Sequence, residues 1–184
     1  NVEPSVQMLR WESGEAEFVH TIPAAETPAV INDEQYATTR RVGATPVSAR
    51  LFTDVRSAPF NDLKVRQAVA HAVDKQFFSQ STGGTIEPLE GVYVPIMPQF
   101  SAEFASAYPY DPEKAKALMA EAGLADGVTG IKLFGSPDYE GPLQGLQADL
   151  AAIGIEVEVT PGTWADFRDR IRAGEVQMAV YSWS

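Results

Sequence analysis

From residue 130 to the end of the chain, stretches typical of strands alternate with stretches typical of helices, and this alternation constrains the fold more than any other feature of the sequence. Alternating or short apolar runs predict strands over residues 131–134, 155–160 and 176–183. Apolar residues at helical spacing predict helices over residues 142–153 and 163–174. Strands joined by helices in this way lie parallel to their neighbours, with right-handed crossovers. We therefore expect an α/β fold.

Capping residues mark where the predicted helices begin and end. Asp111, which precedes a proline, predicts the start of a further helix that ends near Gly123, because Asp is a favoured N-cap and glycine a favoured residue after a helix. Thr163 with Asp166 three residues later is similar to a capping box, and Gly174 predicts the end of that helix. The second half of the chain therefore has well-defined element boundaries.

The first half of the chain is less regular. Helices are predicted over residues 6–13 and 33–41 and after Pro59, and strands over residues 17–22 and 50–55. Residues 86–109 are typical of a long loop that contains proline and tyrosine, and loops of that length are usually functional. Because no linker divides the chain, we predict a single domain over residues 1–184.

The charge of the chain limits its partners. Lys and Arg number 14 and Asp and Glu number 25, so the formal net charge is -11. This charge disfavours nucleic acid, whose phosphates need clustered cations, and it disfavours anionic membrane surfaces. The chain has no cysteine, which excludes disulfides, thiolate nucleophiles and cysteine metal sites. No apolar run approaches the roughly 18 residues of a membrane-spanning helix.

The sequence lacks the common motifs of catalysis. It contains no glycine motif for a dinucleotide or a phosphate, no nucleophile elbow and no HExxH. Its two histidines, His20 and His71, lack partners at metal-ligand spacing, and we interpret His71 as a partly exposed helix residue. Glu156 and Glu158 share the solvent face of a strand, which is not an acid/base arrangement. We therefore expect a protein that is not an enzyme and has no cofactor or metal.

Aromatic residues near the ends of predicted elements favour a binding surface instead. Tyr181 and Trp183 end a strand that we expect to be central in the sheet. Ligands of open α/β sheets bind outside the carboxyl ends of such strands. Trp164 stands at the first turn of a predicted helix, where we expect it to pack in the core.

Four segments, in order along the chain, resemble the signatures of one family. Residues 58–75 read APFNDLKVRQAVAHAVDK, residues 110–123 read YDPEKAKALMAEAG, residues 146–155 read LQADLAAIGI and residues 181–183 read YSW. Residues 13–17, SGEAE, are similar to a turn near the start of the same region. With these segments the chain resembles the extracytoplasmic solute-binding proteins of family 5, the peptide/nickel type, which capture solutes for ABC importers.

The resemblance implies a fold and a place within a longer protein. Members fold as two lobes around a ligand cleft, and the matching stretch is the second lobe, with a mixed, partly parallel sheet flanked by helices. We therefore expect residues 1–184 to be this lobe, cut at both hinge crossings. Asn1 and Ser184 should then lie within roughly 15 Å of each other, a span of four to five extended residues.

The resemblance also implies a set of ligand-binding residues. Trp183 stands at the position of the family's cleft tryptophan, with Tyr181 on the same strand. Arg50, Phe52 and Asp54 share one face of a strand that approaches the ligand in peptide binders. We expect Trp183 and the face of residues 50–54 to be partly exposed.

The solute itself stays open. Val180 stands where some peptide binders have an arginine, and the acidic residue that follows the tryptophan in many members is not in the chain. A peptide, a sugar, an opine and a metal chelate are all compatible with the resemblance. The implied partners are this solute, the first lobe and an ABC permease, and no nucleic acid is expected. The resemblance also implies that the protein acts in the periplasm or elsewhere outside the cytoplasm, either with or without a lipid anchor. The alternative is the ligand-sensing module of a bacterial transcription regulator.

We interpret Arg66 and Asp74, in the first signature, as scaffold residues.

Overall fold

The computed structural model of the protein describes residues 3–19, 22–23, 26–39, 48–82, 86–89, 91, 93–103 and 107–183. Within these ranges the helices are α1 (Pro4–Glu12), α2 (Thr27–Asn32), α3 (Leu63–Ala72), α4 (Lys75–Ser81), α5 (Pro112–Glu121), α6 (Glu140–Ala152) and α7 (Trp164–Ala173). The strands are β1 (Ser48–Thr53), β2 (Val128–Gly135), β3 (Ile155–Pro161) and β4 (Met178–Trp183). Short 3-10 turns cover Glu34–Tyr36 and Pro137–Tyr139. No helix in the described ranges is long and apolar enough to cross a bilayer.

The strands of the described residues form one four-stranded sheet with the order β1-β4-β2-β3. β2 lies parallel to both β3 and β4, as the succession of elements predicts. β1 lies antiparallel to β4 at the edge of the sheet. The mixed, partly parallel sheet confirms the predicted fold class, and β4 is central as predicted.

The two faces of the sheet are covered unequally, because side chains alternate between the faces along each strand. A large apolar cluster packs α3, α5 and α6 against one face, and its fully buried members include Phe60, Val65, Leu133, Leu150 and Ile155. A smaller cluster on the other face joins α7 to the sheet and consists of Phe134, Phe167, Val176, Ala179 and Tyr181, with Phe52 packed against it. We call these the large cluster and the aromatic cluster.

The helix boundaries predicted from capping residues are confirmed. At the start of α5 the Asp111 carboxylate accepts a hydrogen bond from the Lys114 N–H (3.0 Å). Thr163 and Asp166 form a complete capping box at the start of α7. Gly174 follows α7 with a φ of 72°, a conformation that glycine adopts without strain.

Two predictions for the first half are wrong where the structure describes them. Residues 17–19 and 22 form no strand, and within residues 33–39 only the short turn Glu34–Tyr36 forms in place of a helix. The Asp33 carboxylate accepts hydrogen bonds from the N–H and the side-chain amide of Gln35 (2.9 and 3.1 Å), and this local pairing stabilises a turn instead of a helix. The sequence prediction also lacks α2.

Asp74 and Arg66 act as scaffold residues, as predicted. Asp74 starts α4, a helix that the periodicity does not predict, because its carboxylate accepts a hydrogen bond from the Phe77 N–H (2.9 Å). Its own N–H donates to the Asp149 carboxylate in α6 (2.8 Å). Arg66 donates to the carbonyl oxygen of Phe60 in the turn before α3 (2.8 Å). These contacts hold the turn and both helices in place.

His71 is buried, and the predicted partial exposure of this residue is wrong. Its side chain is 2% exposed, and Nδ1 lies 2.7 Å from the carbonyl oxygen of Pro109. The His71 carbonyl oxygen accepts a hydrogen bond from the Asp111 N–H (2.8 Å), and the Tyr108 ring packs edge-on against the imidazole. α3 thus holds the end of the long segment 86–109, whose described residues form no helix or strand, as predicted.

Candidate functional site

The carboxyl ends of the parallel strands β2, β3 and β4 lie side by side at one end of the sheet, and the antiparallel strand β1 begins at the same end. Backbone hydrogen bonds join these ends: the Ser136 N–H donates to the Val180 carbonyl (3.4 Å) and the Gly162 N–H donates to the Gly135 carbonyl (3.0 Å). An open depression of about 450 Å³ lies at this edge, where ligands of open α/β sheets bind. Its walls come from the segments that follow β2 and β3 and from the last residues of β4, and they consist of Ser136, Pro137, Tyr139, Thr163, Trp164, Tyr181 and Ser182.

Tyr181 lines the depression and also ties β4 to the start of α7. Its side chain is only 5% exposed, and its ring stacks on Phe167 with 4.4 Å between centroids. The hydroxyl donates a hydrogen bond to the carbonyl oxygen of Gly162 (2.7 Å), with the Thr163 carbonyl oxygen 3.1 Å away. Burial raises the pKa of Tyr181 to about 12, and the negative charge of Asp166 contributes to the same shift. Tyr181 therefore has a structural function, and its contact with a ligand stays a prediction.

Trp164 is 48% exposed, although the sequence predicts that it packs in the core. It is the first residue of α7 and lies beside the Phe167 ring (5.2 Å between centroids) and edge-on to the Tyr181 ring (5.5 Å). These contacts hold the indole at the border of the depression. One signal could have identified it, because a helix that follows a parallel strand begins at the same sheet edge as the predicted ligand site.

Two of the predicted residues on β1 lie on the same face of the sheet as Tyr181. Arg50 is opposite Tyr181 in the strand register, and Phe52 is opposite Ala179. Phe52 packs against the aromatic cluster, and the Arg50 Nε donates a hydrogen bond to the Ser48 hydroxyl (2.8 Å). The structure therefore brings Arg50, Phe52 and Tyr181 together on the α7 face.

Asp54 lies at the other end of β1. Its N–H donates to the carbonyl oxygen of Gln177 (2.9 Å), before the start of β4, whereas the depression borders Tyr181 and Ser182 at the end of that strand. Because a strand rises about 3.3 Å per residue, the two places are roughly 13 Å apart along β4. The Asp54 carboxylate accepts two hydrogen bonds from the Arg56 guanidinium (2.9 and 3.1 Å), which hold the pKa of Asp54 below its usual value.

Trp183 ends β4, and only its backbone is described, which pairs with the start of β1. Its side chain lies outside the described residues, and so do Asn1, Ser184 and His20. The partial exposure of Trp183 and the short distance between the chain ends therefore stay predictions.

A glycine and a hydroxyl pair shape the depression. A Cβ atom at Gly162 would lie 2.2 Å from the Phe134 ring, so only a glycine allows the connection after β3 to pass this ring undisturbed. The hydroxyls of Tyr139 and Ser182 are hydrogen-bonded to each other and join the turn after β2 to the end of β4.

Among the described residues no group of three or more His, Cys, Asp or Glu side chains is placed to hold a metal ion.

Comparison with known proteins gives a family match over the whole chain. The family profile described as bacterial extracellular solute-binding proteins, family 5 Middle, matches residues 1–184. Di/tripeptide-binding protein 2 of Pseudomonas aeruginosa is 31% identical over 190 residues, which cover 99% of this chain and 35% of the relative. Heme-binding protein A of Haemophilus influenzae is 33% identical over 143 residues, 74% of this chain and 26% of the relative. The match thus spans between about a quarter and about a third of the length of these curated relatives.

Solved structures share the fold. The periplasmic binding protein DppA of Helicobacter pylori, in complex with the peptide STSA, superimposes with a TM-score of 0.81 at 24% identity, over 98% of this chain and 35% of that one. The binding protein AgaA of A. tumefaciens R10, in complex with agropinic acid, superimposes with a TM-score of 0.80 at 24% identity, over 98% and 37%. At these identities the likeness establishes the fold alone.

Proposed function

Since the chain belongs to the bacterial extracellular solute-binding proteins of family 5, we propose that it forms one lobe of a protein that captures a small solute and delivers it to the permease of an ABC importer. The observation that carries the proposal is that the family match over residues 1–184 coincides with an aromatic depression at the carboxyl edge of the sheet. The family and the relatives named above are binding proteins, not enzymes.

A depression this open needs a second surface to enclose a ligand. The similar solved structures are nearly three times as long as the matching stretch, so the rest of such a protein is available to supply the opposite wall. We infer that residues 1–184 correspond to the second lobe, joined to the first through hinge strands at each end. Closure of the two lobes around the solute then supplies most of the affinity.

We propose a peptide-like solute of few residues. This proposal is supported by the relative with the name di/tripeptide-binding protein, which matches almost the whole chain, whereas the relative named for heme matches a shorter part.

Within this lobe we propose that Arg50, Trp164 and Tyr181 contact the solute, with Trp183 beside them at the end of β4. Arg50 and Tyr181 are register partners at the edge where the depression lies, and Trp164 borders it. Phe52 packs against the aromatic cluster, of which Tyr181 is a member. The position of Asp54 at the far end of β1 argues against a direct contact for this residue.

We propose that the protein acts outside the cytoplasm, where an ABC importer receives its solute. A full-length protein with a lipid anchor would be held at the membrane, and one without an anchor would be free in the periplasm. The alternative function, a ligand-sensing module of a transcription regulator, is supported by neither the relatives nor the solved structures named above.

Isothermal titration calorimetry on the full-length protein tests solute capture. At least one member of a panel of dipeptides, tripeptides, sugars and opines should bind with a micromolar or lower Kd, while the 184-residue chain alone should bind that solute at least about a hundredfold more weakly, because the contacts of the other lobe are missing. Micromolar binding by the isolated chain would refute the two-lobe requirement. A full-length protein that binds none of the panel would refute solute capture.

A further inference from the structure

The depression has no ionised side chain among the described residues that line it, since these are serine, proline, tyrosine, threonine and tryptophan. The neighbouring charges of α7 are engaged elsewhere. The Asp166 carboxylate accepts hydrogen bonds from the N–H and hydroxyl of Thr163 (2.9 and 2.6 Å), and the Arg170 guanidinium lies over the Phe134 ring, 5.4 Å from its centroid. Arg50, on the neighbouring strand, is opposite Tyr181 but is not among the lining residues. A charged ligand group that packs against the described lining would therefore lose hydration without meeting an opposite charge in that lining.

Four of the five hydroxyl groups of the lining, those of Tyr139, Thr163, Tyr181 and Ser182, are hydrogen-bonded within the protein. The Tyr181 hydroxyl donates to a backbone carbonyl oxygen 2.7 Å away. The Thr163 hydroxyl donates to the Asp166 carboxylate and accepts from the Asp166 N–H (3.3 Å). The hydroxyls of Tyr139 and Ser182 are bonded to each other. A sugar ring carries several hydroxyl groups that each need a partner once water is excluded, so this lining suits a sugar poorly.

The depression offers an apolar aromatic surface in place of charged groups and available hydroxyl groups. The Trp164 side chain is half exposed, and two rings of the aromatic cluster, Phe167 and Tyr181, hold it from within the protein. A ring that is already ordered binds an apolar group without a further loss of side-chain entropy. Aromatic surfaces of this kind bind aliphatic groups by burial and aromatic groups by stacking or edge contacts.

We propose that the depression takes an uncharged, apolar side chain of a peptide-like solute, which packs against the Trp164 ring; this inference rests on the proposed solute-capture function. The depression of about 450 Å³ falls within the range of about 300–1,000 Å³ that ligand pockets occupy, and it has room for a leucine or phenylalanine side chain.

The test is calorimetric titration of the full-length protein with dipeptides that share one residue and differ in the other: Ala-Phe, Ala-Leu, Ala-Gly, Ala-Lys and Ala-Asp, together with a panel of neutral sugars. Ala-Phe or Ala-Leu should bind at least about tenfold more tightly than Ala-Lys and Ala-Asp, because the charged side chains lose hydration against a lining that has no opposite charge. Both orders of each dipeptide are measured, so that the position of the varied residue does not decide the result.

A variant links the preference to the depression. Trp164→Ala should weaken the binding of Ala-Phe by about tenfold to a hundredfold and change the binding of Ala-Gly by less than about threefold. Trp164→Phe should recover most of the lost affinity. The matched control is Phe18→Ala, which removes an aromatic side chain that is 77% exposed and does not line the depression, and it should leave both affinities unchanged.

The outcomes separate this inference from the function on which it rests. Binding that is equal for apolar and charged dipeptides, or an equal loss for Ala-Phe and Ala-Gly in Trp164→Ala, overturns the apolar side-chain site and leaves solute capture in place. Binding of a sugar but of no dipeptide has the same consequence. If the protein binds no solute of any class, both proposals are overturned together.

Discussion

The hydroxyl of Tyr181 lies 2.7 Å from the carbonyl oxygen of Gly162, and this hydrogen bond ties the central strand β4 to the residues that lead into α7. Trp164 begins that helix, and its ring meets the Tyr181 ring edge-on. The wall of the depression therefore depends on a contact between β4 and the residues after β3. Substitutions of Tyr181 or Gly162 should have measurable effects on the stability of the fold.

Tyr181→Phe should lower the free energy of unfolding by about 1 kcal/mol, because it removes the hydroxyl and retains the stacked ring. Denaturant unfolding should show a lower midpoint with an unchanged m-value. Tyr36→Phe is the control, since the Tyr36 hydroxyl donates to the exposed Glu12 carboxylate (2.9 Å), and its loss should change stability by less than about 0.5 kcal/mol. Equal effects of the two substitutions would contradict a structural function of the Tyr181 hydroxyl.

The raised pKa of Tyr181 predicts a pH dependence of stability. The phenol has an ordinary pKa of 10.0, and burial raises it to about 12 in the folded protein. The folded state thus holds the proton more tightly than the unfolded state, so the stability from this group is complete below pH 10 and falls as the pH rises towards 12. The difference in unfolding midpoint between wild type and Tyr181→Phe should shrink over this interval. A difference that stays constant from pH 9 to about 12 would argue against a buried phenol.

Gly162→Ala should destabilise the protein by about 1–3 kcal/mol, because the new methyl group would lie 2.2 Å from the Phe134 ring and force a shift in the aromatic cluster. Thermal unfolding and the near-ultraviolet circular dichroism of the aromatic residues measure this change. Gly141→Ala is the matched control: nothing lies within 4 Å of a Cβ atom there, and the residue is in α6. Alanine should leave the stability unchanged or raise it by up to about 1 kcal/mol. A tolerated Gly162→Ala would show that the connection moves easily.

His71→Ala should lower the free energy of unfolding by about 2 kcal/mol or more, because it leaves a cavity and removes the hydrogen bond to the Pro109 carbonyl oxygen. Hydrogen exchange should accelerate at the Asp111 amide, which donates to the His71 carbonyl oxygen. Gln67→Ala, at a half-buried position of the same helix, should change stability by less than about 0.5 kcal/mol. Unchanged exchange at Asp111 would mean that α3 does not hold the segment before α5.

Arg50→Ala should weaken solute binding by the full-length protein by about tenfold, whereas Asp54→Asn should change it by less than about threefold. The reason is position: Arg50 is the register partner of Tyr181 at the edge with the depression, and Asp54 is paired with Arg56 at the far end of β1. Titration calorimetry with a bound solute measures both. A larger loss for Asp54→Asn than for Arg50→Ala would place the ligand at the other end of the strand.

The features that local interactions determine could be predicted from the sequence. The Thr163–Asp166 capping box joins residues three positions apart, and the common face of Arg50 and Phe52 follows from the two-residue period of a strand. The parallel direction of β2, β3 and β4 was also predictable, because each strand is joined to the next one in the sequence by a helix.

The features that depend on distant contacts could not be predicted. β1 pairs with β4 across more than a hundred residues, and no local pattern indicates that pairing. His71 is buried because the chain returns to it at Pro109, 38 residues later. The exposure of Trp164 depends on how Phe167 and Tyr181 pack under its ring, which periodicity does not specify.

The attachment of α7 has a consequence for how the protein fluctuates. Of its residues, all of which the structure describes, only Phe167 is buried, whereas the opposite face of the sheet is covered by three helices of the large cluster. We expect a unit held by so little buried surface to open at a lower free energy than the whole fold, and to do so by itself. Each such opening would remove the Trp164 wall, so we expect the protein to alternate between a state that has the depression and one that lacks it. A ligand that binds only the first state slows amide exchange along α7, and the extent of slowing measures how far that binding shifts the population.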